Sequence, residues 1–76
     1  MTPAEFRGWL AETEAGARLR YHVGHLVVDR EEDTGLNALA SAIMEAAEAG
    51  FVTLSQQRLV DGGCAYFAQR TQEISE

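Results

Sequence analysis

Residues 50–70 read GFVTLSQQRLVDGGCAYFAQR, two strand-like runs joined at Asp61-Gly62-Gly63. Asp-Gly between such runs is the strongest short hairpin signal, although the extra Gly63 leaves the turn type open. The pattern predicts strands over 51–59 and 64–70. Just before them, Leu36, Leu39, Ala40, Ile43, Met44 and Ala47 recur at helical spacing, which predicts a helix over 35–49 with a core-facing stripe. Gly50 then takes the left-handed position past the helix end, and Phe51 is placed to fold back on the last turn. The chain therefore has to cover a hairpin with a helix, and the remaining residues decide what else joins that layer.

Thr2-Pro3-Ala4-Glu5 is a helix start: a capping threonine, a proline at the first helical position and a glutamate at the third. Phe6, Leu10 and Thr13 follow as an inward stripe flanked by Trp9, and Gly16 is the natural stop, so a helix is expected over 3–15. In ARLRYHVGHLVVD, residues 17–29, Leu19, Tyr21 and Val23 alternate with Arg18, Arg20 and His22, the period of a half-buried strand. Gly24 is expected to mark a bulge, with His25-Leu26-Val27-Val28 continuing the strand. Asp29 to Asp33 then reads as a solvated acidic loop, its last residues capping the next helix.

The expected order is helix, strand, helix, strand, strand. Its simplest layer solution is an α+β domain, two helices on one face of a three-stranded antiparallel sheet, with the first strand beside the last. Tyr21, Leu39, Ile43 and Phe51 are the expected core, with Trp9 at its edge. The 76 residues are read as one domain, 1–76, with 71–76 frayed. A chain this short buries only about 60% of its unfolded surface, so its stability is modest.

Composition narrows the function classes. No apolar run approaches the roughly 20 residues that cross a bilayer. The start MTPAEFRGWLAE lacks the basic and apolar blocks of a signal peptide, and Cys64 has no second cysteine to pair with. A cytoplasmic setting is expected. Twelve acidic residues face six arginines and no lysine, for a net charge of −6. That charge repels a phosphate backbone at long range, which counts against direct nucleic-acid binding.

The element order resembles a winged-helix domain, with residues 47–70 carrying most of the likeness. The whole chain also resembles a group of short phage and prophage proteins of unassigned function. In these, an RxxYHxG-type strand (here Arg18, Tyr21, His22, Gly24) precedes an alanine-rich helix and a VxLxQxR hairpin (Val52, Leu54, Gln56, Arg58). This resemblance implies a mobile-element setting in a host cell. A DNA-reading winged helix has two helices between its first strand and its wing, the second entering the major groove. Only one is expected between Arg30 and Gly50, with Asn37, Ser41, Glu45 and Glu48 outward and Asp61 at the wing tip, so no recognition helix stands out.

No catalytic, cofactor or metal motif rises above background. His22 and His25, with Cys64 as a third ligand, fall on opposite faces of a regular strand unless the bulge intervenes. Ser41 and Ser55 lack His–Asp partners, and no paired carboxylates suit hydrolysis. Two polar surfaces remain. Asp29, Glu31, Glu32 and Asp33, joined by Glu45 and Glu48, form an anionic surface suited to a phosphate-binding site on a host protein. Arg18, Arg20, Arg58 and Arg70 with Tyr66 form an alternative recognition face on the sheet. The expectation is a non-enzymatic interaction protein without cofactors, an inhibitor of a host defence complex in the manner of anti-CRISPR proteins. A winged-helix DNA-binding regulator, acting as a dimer, is the alternative.

Overall fold

A computed structural model describes residues 1–71. It is an α+β domain of three helices and one antiparallel sheet. α1 spans Pro3–Glu12, β1 Arg18–Gly24, α2 Leu26–Glu32, α3 Thr34–Glu48, β2 Val52–Arg58 and β3 Cys64–Arg70. The sheet order is β1-β3-β2, with the first strand beside the last, as expected.

The expected capping box starts α1: Thr2 Oγ1 accepts from the Glu5 N–H at 3.1 Å, and the Thr2 N–H donates to Glu5 Oε1 at 2.8 Å. The helix stops three residues short of the expected end. Gly16, at φ 88°, serves the turn into β1 instead of the helix C-terminus. Its N–H donates to the Arg70 carbonyl at 2.8 Å, and Arg70 N–H returns a bond to Ala17, so pairing with β3 takes these residues from the helix.

The largest departure lies between residues 25 and 33. The expected strand continuation and acidic loop are instead α2, so the element order is α-β-α-α-β-β. The bulge sits at Tyr21, between Arg20 and His22, three residues before the expected position at Gly24, and Gly24 terminates the strand. At φ 137° Gly24 brings the chain so close to Asp29 that a Cβ there would stand 2.6 Å from Asp29 Oδ2. Asp29 Oδ2 accepts from the His25 N–H at 3.0 Å and bonds His22 Nε2 at 2.8 Å, closing the first turn of α2. This local closure overrides the strand preference of Val27 and Val28. Asp33 then ends α2 and caps α3, accepting from the Leu36 N–H at 3.1 Å.

α3 ends in the Schellman arrangement anticipated around Gly50, whose φ is 87°. Phe51 N–H donates to Ala46 and Gly50 N–H to Ala47. Phe6, Leu39, Ala42, Ile43, Ala46, Val52 and Ala68 form the core, with Trp9, Leu10, Leu19 and Tyr21 packed against it. Two expected core residues lie at the surface: Phe51 is 48% exposed beneath the Arg70 guanidinium, and Met44 is 46% exposed. Thr71, expected to fray, donates from its N–H to Phe51 and from its hydroxyl to Gly50; the rest of that tail lies outside the described residues.

Candidate functional site

The strand register sorts the arginines. Ala68 and Val52 are buried in the core, so Leu19 and Leu54, both opposite Ala68, face the helices with them. By alternation Tyr66, Arg58 and Arg70 share that side, while Arg18, Arg20, Phe67, Gln69, Thr53, Ser55 and Gln57 face away. The alternative recognition face is therefore divided between the two sides of the sheet. On the outer side the Arg18 guanidinium lies 3.9 Å from the Phe67 ring centroid. On the inner side Arg70 is a strut, donating to the Leu10 and Phe51 carbonyls, and Tyr66 accepts the Leu26 N–H.

The bulge at Tyr21 carries His22 to the inner side, against Tyr66 and Asp29. His25 is exposed at the start of α2, and Cys64 stands at the start of β3, opposite Gly24 and Arg58. Among the described residues, no group of three His, Cys, Asp or Glu side chains stands together as a metal site. No helix among them is long and apolar enough to cross a membrane.

Nor do the six acidic residues form one continuous surface. Asp29 is held by His22 and His25, and Asp33 by the first turn of α3. Glu31 and Glu32 are exposed at the α2–α3 corner, whereas Glu45 and Glu48 sit about 18 Å or more along α3 at 1.5 Å per residue. Between the two ends, Arg30 lies along α3. Its guanidinium donates to Asn37 Oδ1 at 2.8 Å and Ser41 Oγ at 3.1 Å, with Met44 Sδ at 3.7 Å.

Sequence reasoning missed a groove. Tyr21, Leu26, Val27, Arg30, Ala40, Met44, Leu54, Ser55, Gln56 and Tyr66 enclose about 460 Å³ between the α2–α3 pair and β2. Three of its apolar residues are open to solvent, Val27 at 74%, Met44 at 46% and Leu54 at 42%. Together they form a small apolar opening at the mouth of the groove. Its sequence signal was Val27-Val28 in a segment read as strand, so finding it required the second helix.

The hydrogen bonds from His22 and from the His25 backbone, in that order, hold the Asp29 carboxyl below its ordinary value of 3.8. A carboxylate depressed in the folded state adds stability above its unfolded value, and that contribution disappears as pH falls through the folded one. Asp29→Asn is therefore expected to melt at a lower temperature than wild type at pH 6, with the gap closing below about pH 4. Thermal melts by circular dichroism across this range check it; a gap independent of pH counts against the assignment.

No protein-family model, curated protein or solved structure matches the chain.

Proposed function

We propose that this is a non-enzymatic interaction protein of phage or other mobile-element origin. It docks on a host protein and inhibits it, with the α2–α3 corner, where Glu31 and Glu32 are exposed, occupying a surface built for phosphates on a nucleic-acid-binding partner, in the manner of anti-CRISPR-type inhibitors. The observation that carries this reading is the sign of the charge where a DNA-reading winged helix needs cations. Residues 26–48 hold six carboxylates and one arginine, and that arginine is engaged along α3 by Asn37, Ser41 and Met44. Long-range attraction between opposite charges acts mainly on association rate.

Glu31→Gln with Glu32→Gln is expected to leave the melting temperature within a degree or two, because exposed charges contribute little to stability. The same change slows association with a basic partner recovered by affinity capture, about threefold or more at low salt, and high salt slows the wild type likewise. Recovery must survive nuclease treatment. Wild-type association rates in the double variant reduce these glutamates to a solvated corner.

One observation favours the second reading, a DNA-binding regulator. Two helices lie between β1 and the hairpin, and the order α-β-α-α-β-β is that of winged-helix domains. On that reading a dimer concentrates Arg18, Arg20, Arg58 and Arg70 against DNA, with Arg18, Arg20 and Arg58 exposed.

A further inference from the structure

We propose that two copies of this chain pair through β2, antiparallel about a twofold axis at Ser55, making one six-stranded sheet and closing the α2–α3–β2 groove. This goes beyond the partner proposed above and does not depend on it.

β2 is an edge strand, and its free side is regular. The bonds Leu59 N–H to Gly63 and Thr71 N–H to Phe51 set the ladder phase, so Thr53, Ser55 and Gln57 bond to β3. The N–H and carbonyl groups of Val52, Leu54, Gln56 and Arg58 consequently point away from the sheet. Edge strands are usually protected by bulges, proline, lysine or inward charges. The opposite edge, β1, has a bulge, whereas β2 pairs with β3 without a break and carries no charge before Arg58.

The occupant follows from self-complementarity. With Ser55 opposite Ser55 of the second copy, Leu54 faces Gln56 of that copy, so the outward groups of these two exposed residues find partners, whereas Val52, 2% exposed, is already covered and adds none. No like charges meet along the strands. The two exposed Leu54 side chains approach diagonally across the axis and extend the apolar floor below Met44 and Val27.

Sedimentation of the whole chain over a range of concentrations is expected to show a monomer–dimer equilibrium. Gln56→Pro removes an outward N–H while sparing the bonds to β3, and should weaken the dimer at least about tenfold; Gln56→Ala should not. Because the proline variant risks misfolding, register is tested separately by cysteine cross-linking in a Cys64→Ser background. Ser55→Cys should cross-link under mild oxidation, since a non-hydrogen-bonded antiparallel pair stands about 4.5 Å apart at Cα, within disulfide reach. Gln57→Cys, offset from its own symmetry mate, should not. A wild type that stays monomeric to millimolar concentration overturns the proposal. So does a dimer that forms equally well with folded Gln56→Pro and gives no Ser55→Cys cross-link.

Discussion

Phe6→Ala is expected to lower stability by about 3–5 kcal/mol, the range for truncating a fully buried aromatic side chain. Phe6 is 1% exposed and, with Ile43, is one of the two largest fully buried side chains. It joins α1 to the core formed by α3, Val52 and Ala68, and it stacks on Trp9 at 5.9 Å between ring centroids. Its loss opens a cavity that the alanine-rich neighbours cannot fill, since Ala42, Ala46 and Ala68 have no longer side chains to move inward. A chain of this length holds about 4–11 kcal/mol of net stability at typical per-residue values. About a quarter of it or more disappears with one ring. The melting temperature should fall by about 12 °C or more; a fall of under about 4 °C means α1 is not closing this core.

Gly24→Ala is the second large effect, expected at about 2–4 kcal/mol. At φ 137° an L side chain is strained in any surroundings, and here its Cβ also meets Asp29 Oδ2 at 2.6 Å. Asp29 can swing away only by giving up the His25 N–H and His22, the bonds that start α2. Backbone strain and loss of the helix start are separable. In an Asp29→Ala background, Gly24→Ala should cost only the strain, so a double-mutant cycle followed by thermal melts should show clear coupling. Simple additivity means the two residues act independently.

The same pair explains where the sequence was readable and where it was not. The capping box at Thr2, the stripe of α3, the Gly50 terminus and the Asp61-Gly62 hairpin are local signals, each complete within a few residues, and each appears in the structure. α2 was hidden because its own residues oppose a helix. Val27 and Val28 favour strand, and only the return of Asp29 to His22 and His25 turns the chain into a helix. The surfaces suffered in proportion. Arg18 and Arg20 share one face as their spacing predicts, but Arg58 and Arg70 lie on the inward side and divide the larger arginine group. Asp33 caps the following helix as its position predicts, whereas Asp29, read as a solvated charge, is held by His22 and the His25 N–H, and the groove beside Met44 and Leu54 depends on α2.

Two helices before a hairpin wing make nucleic acid the competitor that a protein-binding role has to exclude, and titration of a labelled mixed-sequence duplex at low salt does so directly. No complex is expected in the micromolar range, because six carboxylates on the α2–α3 segment oppose the phosphates that a reader would attract. A complex that weakens steeply with added salt, and is lost on Arg18→Ala with Arg20→Ala, contradicts a protein-binding role and makes the chain a DNA-binding regulator.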